Sequence, residues 1–266
     1  MISVCMATYN GEKYIEQQIA SILAQLSEND ELIVSDDGSS DHTTDILARS
    51  GTDRRIRVLH GGFHSPIYNF EHAIKQAQGD YIFMADQDDV WLPGRVAETL
   101  KMHEQGIDLV ICKAENIDGE GKVFRPVVFD DPNPVRHSLL WNLYKNPYLG
   151  CCMSFNRQLT DAILPFPSGI AMHDIWIGLV AQTLFTCDYY AERPLVQYRR
   201  PGINFTEKNK YRFDFRPDSL TTLGVGKADI FVTQQYPVDR YGINRLTNDG
   251  PDIGAYEFVP KEDETK

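Results

Sequence analysis

Three apolar runs, each closed by a polar cluster and each set beside a stretch of helical spacing, constrain this chain more than any other feature. Ile2 to Ala7 runs into Thr8-Tyr9-Asn10, Glu31 to Ser35 into Asp36 to Asp41, and Tyr81 to Ala85 into Asp86-Gln87-Asp88-Asp89. Ile15, Ile19, Ile22, Leu23 and Leu26 recur at the helical period after the break at Asn10 and Gly11. Phe70, Ala73, Ile74 and Ala77 do the same within a helix predicted over Tyr68 to Gln78. This alternation predicts an α/β fold, an open and mostly parallel sheet with helices on both faces. Tyr81 to Ala85 carries no polar residue but its Tyr hydroxyl, which places it at the centre of the sheet.

Further elements follow the same logic. Ile56 to His60 reads as a strand, and Ser40 or Asp41 is placed to cap a short helix through Arg49. Pro93 suits the first position of a helix through His103, and Ile107 to Cys112 is a strand. Helices are expected over Arg136 to Lys145, Asn156 to Leu164 and Asp174 to Phe185, with strands near Cys151 to Phe155 and Leu195 to Tyr198. After Arg200 the texture changes to crowded Asn, Asp, Gly, Pro and Tyr, so 201–266 is read as an irregular C-terminal tail.

Composition narrows the function. The formal charge of −12 repels nucleic-acid backbones and anionic lipid surfaces, and most of that excess belongs to residues 1–200. A phosphate-bearing ligand therefore needs a local device such as a divalent cation. No apolar run is long enough for a spanning helix or a secretory core, which gives a soluble, cytoplasmic expectation. Five cysteines without metal-ligand spacing argue against a disulfide framework and a zinc site; Cys5, Cys151 and Cys152 sit in apolar settings where a thiol is inert.

In a parallel sheet the three polar clusters share one edge, where ligands of open α/β sheets bind. Carboxylates crowded there repel unless solvated, protonated or bound to a cation, and the Asp86-Gln87-Asp88 spacing offers hard oxygen ligands to Mg2+ or Mn2+. A solvated acidic loop is the plain alternative for any one cluster; the convergence of three is what favours a site. No glycine-rich phosphate cradle follows the first strand, which removes dinucleotide oxidoreductases and P-loop enzymes. His173-Asp174 opens an amphipathic helix, where an aspartate is equally at home as a cap.

Taken together, Val4 to Asn10 followed by Gly11 to Leu23, the Ser35-Asp36-Asp37-Gly38-Ser39-Ser40-Asp41 turn, and Ala85-Asp86-Gln87-Asp88-Asp89-Val90-Trp91-Leu92-Pro93 resemble glycosyltransferase family 2, as does His173-Asp174-Ile175-Trp176. The set is especially similar to rhamnosyltransferase-like members. The resemblance covers roughly residues 1–200 and implies a GT-A fold, with a nucleotide-sugar half over 1–92, an acceptor half over 93–200 and inversion at the anomeric carbon. By resemblance Thr8, Tyr9, Asn10, Asp37, Asp86 and Gln87 bind the nucleotide sugar, Asp88 ligates Mg2+ or Mn2+, and Asp174 is the catalytic base. Trp91, His173 and Trp176 are assigned to the acceptor, with core packing equally open to the two tryptophans. The implied donor is a nucleotide-diphosphate sugar. The acceptor is a saccharide or lipid-linked saccharide of bacterial polysaccharide synthesis, handled at the inner face of the membrane; peripheral membrane association and a homo-oligomer are compatible with this.

The pattern breaks at Pro201, where the family carries a His-Gly segment that reaches the diphosphate. Proline neither ligates a metal nor donates a hydrogen bond. A second reading follows, in which the chain is a degenerate domain that binds nucleotide or glycan without turnover. Phe215 to Ser219, Tyr236 to Gly242 and Gly250 to Glu257 are similar to the closing segment of secreted parallel β-helix proteins, so a fusion or truncation is expected in the tail. A nucleotidyltransferase would share the sheet but requires a glycine-rich basic loop near Gly11, which is missing.

Overall fold

Strands β1 (Ile2–Thr8), β2 (Glu31–Asp36), β3 (Ile56–His60) and β4 (Tyr81–Asp86) form the N-terminal half of the main sheet in this computed structural model. It describes residues 1–200 with the exception of 130, 136, 137, 140 and 143–145. All seven residues of β1 and all six of β2 are buried. Successive side chains of a strand point to opposite faces, so both faces of the sheet are covered. Helices α1 (Ile15–Leu23), α2 (Thr43–Ser50) and α3 (Pro66–Gln76) connect these strands, and each buries an apolar stripe: Ile15, Ile19 and Ile22, then Ile46 and Leu47, then Phe70, Ala73 and Ile74. The N-cap of α2 is His42 rather than Ser40 or Asp41, and the Asp41 carboxylate, one residue earlier, accepts the Thr43 backbone N–H at 3.0 Å.

The second half adds α4 (Arg95–Glu104), β6 (Leu109–Cys112), β9 (Met153–Asn156), α5 (Arg157–Ile163), α6 (His173–Leu184) and β10 (Cys187–Tyr190). The seven strands stand in the order β10-β6-β9-β4-β1-β2-β3, which puts β4 in the middle as its apolar run predicts. Every neighbouring pair is parallel except those made by β9, which runs antiparallel between β4 and β6. A smaller sheet pairs β5 (Val90–Trp91), β11 (Val196–Arg199), β7 (Ala114–Ile117) and β8 (Val123–Arg125) in that order.

Several expectations shift. The helix expected from Pro93 starts at Arg95, because Gly94 adopts φ 92° and Pro93-Gly94 forms a turn first. The strand expected from Cys151 starts at Met153, after a 3-10 turn over Gly150–Cys152. Strands β5, β7, β8 and β10 are additional to those read from the pattern. The helix expected over Arg136 to Lys145 falls largely outside the described residues, and so do Pro201 and the whole tail.

Candidate active site

From β1 the chain passes to β2 and β3 on one side, then returns to place β4 on the other side of β1. Loops that leave β1 and β4 at their carboxyl ends therefore diverge and open a crevice, the usual ligand position of such sheets. Register makes the juxtaposition specific: Thr8 pairs with Asp36, and Ala7 with Asp86.

The loop after β1 is tied to both neighbours. Gln87 carries most of the link to β4: its Oε1 accepts from the Thr8 hydroxyl and from the Tyr9 N–H at 3.1 Å, and its Nε2 donates to the Tyr9 carbonyl at 3.2 Å. Gly11 leaves room for this amide, since a Cβ there would fall 2.1 Å from Gln87 Oε1. Asn10, in the left-handed region at φ 49°, ties the loop to β2. Its Oδ1 accepts the Ser40 N–H at 2.8 Å and its own N–H donates to the Ser39 hydroxyl at 2.9 Å. Asp37 is wholly buried; its N–H donates to the Thr8 carbonyl at 3.0 Å, and its carboxylate accepts the N–H groups of Phe63 and Ser65 at 2.5 and 3.0 Å.

At the end of β4 and just beyond it, Asp86, Asp88 and Asp89 are all buried. A carboxylate oxygen of Asp86, one of Asp89 and the Cys151 sulfur lie within 4.8 Å of one another. Asp89 thus joins Asp86 at the end of the strand, in addition to the Asp86 and Asp88 of the spacing argument. Burial pushes the Cys151 thiol well above its ordinary pKa, so it stays neutral and adds no anionic donor. What remains is a set of carboxylate oxygens in four successive residues, a hard donor set that fits Mg2+ or Mn2+. Asp86, Asp88 and Asp89 would hold such an ion.

Asp174 lies beside the 3-10 turn that carries Cys151. It lies in the first turn of α6, half-buried, with Oδ1 accepting the Ile175 N–H at 2.7 Å. A Cβ on Gly150 would lie 3.5 Å from Asp174 Cβ and 2.9 Å from His173 Nε2. Gly150 is bonded to Cys151, the residue that touches Asp86 and Asp89, so the 3-10 turn connects the start of α6 to the acidic turn. His173 is buried against Phe70, ring centroids 4.3 Å apart, and burial lowers its pKa, which keeps the imidazole neutral.

The two tryptophans part company. Trp91 is 3% exposed, with its ring centroid 4.6 Å from the Arg95 guanidinium carbon and 5.8 Å from Phe83. That is a core position. Trp176 is half-buried and donates its indole N–H to the Ile163 carbonyl at 3.0 Å.

Two arginines complete the surroundings, and the pattern reading singled out neither. Arg95 is fully buried and donates to the Cys151 carbonyl at 2.8 Å. Arg199 donates its backbone N–H to Asp89 Oδ1 at 2.9 Å and its Nε–H to the Asp88 carbonyl at 2.7 Å. The Arg199-Arg200 pair at the end of the Val196–Arg199 strand is the one signal that could have pointed to it.

Comparison with known proteins agrees with this fold. The family model described as Glycosyl transferase family 2 matches residues 3–164. The chain is 34% identical over 225 residues to the putative teichuronic acid biosynthesis glycosyltransferase TuaG of Bacillus subtilis, covering 80% of this chain and 83% of that one. Against three Rickettsia glycosyltransferases it spans only 17% to 21% of their length. Among solved structures, S. aureus TarS 1-349 in complex with UDP-GlcNAc superimposes with a TM-score of 0.62 at 19% identity, over 76% of this chain and 59% of that one. The mannosyltransferase PcManGT from Pyrobaculum calidifontis, in complex with GDP-Man and Mn2+, gives 0.53 at 17% identity, over 72% and 55%. The mostly parallel sheet with its helices is the GT-A fold of these neighbours, and with the family model spanning the crevice, its acidic turn and the 3-10 turn, the chain belongs to glycosyltransferase family 2.

Proposed function

We propose that this chain transfers a sugar from a nucleotide-diphosphate donor to a saccharide or lipid-linked acceptor in bacterial polysaccharide synthesis, with inversion at the anomeric carbon. The observation that carries the reading is the meeting at one rim of the β1, β2 and β4 ends with the start of α6. Thr8, Tyr9, Asn10 and Asp37 bind the nucleotide, in a loop system braced by Gln87; Asp86 lies toward the ribose. TuaG, whose name refers to teichuronic acid biosynthesis, supports the polymer, and the UDP-GlcNAc complex of TarS supports the donor class.

Chemistry assigns opposite ends of the site to opposite charges. Asp174 takes the proton of the acceptor hydroxyl as that oxygen bonds to the anomeric carbon, and the carbon–oxygen bond to the diphosphate breaks with its electron pair leaving on phosphate. Asp88 with its neighbours would hold Mg2+ or Mn2+, which would neutralise charge on the departing diphosphate; the Mn2+ complex of PcManGT supports a divalent ion. His173, neutral and packed on Phe70, shapes the acceptor side beside Trp176.

Asp174→Asn is expected to keep nucleotide-sugar affinity in calorimetry while transfer falls about 100-fold or more, the usual worth of a positioned base. Unchanged turnover would reject Asp174 as the base. Metal-dependent binding of donor with no transfer to any acceptor by the unaltered chain would favour the non-catalytic reading.

A further inference from the structure

We infer that Arg199 is a positioning residue that sets the divalent-cation affinity of the Asp86–Asp89 turn; the inference rests on the glycosyl-transfer reading above. Its side chain is fully buried and ties its own strand to three other chain segments. Nε donates to the Asp88 carbonyl at 2.7 Å, Nη1 to the carbonyls of Asp118 and Gly119 at 3.1 and 3.4 Å, and Nη2 to Gln17 Oε1 at 2.9 Å. The guanidinium carbon stands 4.4 Å from the centre of the Tyr14 ring, and the backbone N–H holds Asp89 Oδ1 at 2.9 Å.

The choice of partners is what separates this arginine from an ordinary packing residue. Asp88 and Asp89 are the last two members of the acidic turn, and Tyr14 and Gln17 follow directly on the loop after β1. One planar cation thus holds the backbone of the turn at a set distance from the helix that borders the nucleotide loop. A lysine retains the charge but presents a single point with no fork, so it cannot span the same partners. The side chain grips the backbone of the turn at the Asp88 carbonyl rather than a carboxylate, and groups that hold metal ligands in place from behind typically change metal affinity 10- to 100-fold when lost.

Mn2+ binding, followed by loss of the free-ion paramagnetic resonance signal, tests this directly on the full chain. Arg199→Lys is expected to weaken Mn2+ binding about tenfold or more, and to lower kcat by a larger factor than it raises KM. Gln17→Ala, a change at an exposed helix position, is expected to weaken it about threefold. Arg55→Lys is the control: Arg55 also bridges backbone carbonyls, those of Leu23 and Leu26 at 3.0 and 2.7 Å, but does so at the other end of α1. It should lower Tm and leave Mn2+ affinity as in the unaltered chain. A folded Arg199→Lys protein with unchanged Mn2+ affinity overturns the inference while leaving the glycosyl-transfer reading intact. Should that variant not fold, unchanged affinity in Gln17→Ala overturns it instead. An unaltered chain that neither binds Mn2+ nor transfers sugar overturns the functional reading, and the inference with it.

Discussion

Gly79 stands where the fold admits no side chain. A Cβ there would lie 2.6 Å from the Ser3 nitrogen and 2.8 Å from the Met1 carbonyl oxygen, backbone atoms that yield only if β1 moves. Gly79→Ala is expected to lower the unfolding free energy by about 1–3 kcal/mol, the usual cost of overpacking, read as a reduced urea midpoint at unchanged slope. An unaltered midpoint would mean that β1 shifts freely. Residues of the site differ in how far the chain order alone reveals them. Asp37, Asp86 and Asp88 are legible because each follows an apolar run by a fixed step, so a strand's end locates it. Their partners are not. Nothing local says that the Asp37 carboxylate receives the N–H groups of Phe63 and Ser65, or that Gln87 braces Tyr9, because those contacts join segments 26 to 78 positions apart. Arg95 is the sharper case: an arginine opening a helix is ordinarily solvated, yet this one is fully buried beneath carbonyls of β4, the 3-10 turn and β9.

At the scale of elements, long periodic segments were legible and short paired ones were not. Helix α5 begins where Asn156 predicts, and its cap is visible: Asn156 Oδ1 accepts the Leu159 N–H at 3.0 Å. The same side chain donates to Asp108 Oδ1 at 2.6 Å, so it joins helix, strand β9 and the loop before β6. Asn156→Ala is expected to cost about 1 kcal/mol through the cap, with the charged hydrogen bond adding to it, measured as a fall in Tm. No loss would show that the bond to Asp108 carries nothing. Strands β5, β7 and β8 span two to four residues and have no alternation to read; β11 and its neighbours make them strands by pairing. The antiparallel run of β9 is equally invisible, since an apolar run specifies burial and not direction. Pro93 misleads for a simple reason: it suits a helix start and a turn equally, and Gly94 with its positive φ selects the turn.

For the molecule as a whole, the main sheet and its helices bury two histidines that the charge count treats as neutral. His103 Nδ1–H donates to the Ile107 carbonyl at 2.7 Å and its Nε2 shares a hydrogen bond with the Ser154 hydroxyl at 2.9 Å, while His173 packs on Phe70. Burial lowers the pKa of both in the folded state. An unfolded histidine titrates near about 6.5, so below that pH the unfolded chain gains protons that the folded chain resists. Stability from these groups is present above about pH 6.5 and is lost as pH falls toward their lowered folded values. The exposed His42, beside Asp45, is shifted upward and acts in the opposite sense. His103→Gln should therefore show a shallower fall in urea midpoint between about pH 7.5 and 5.5 than the unaltered chain. An identical fall in both would remove His103 as a contributor. No helix among the described residues is long and apolar enough to cross a membrane.

By itself the chain order determined the α/β class, the central place of β4 and the gathering of polar clusters at one sheet edge, because each follows from local periodicity and from the geometry shared by all parallel strands. Only the tertiary structure decided which carboxylates meet, that Cys151 lies among them, and that Arg199 braces the acidic turn from 110 positions away. Those outcomes depend on burial and on contacts between distant segments, and a local pattern carries no record of either.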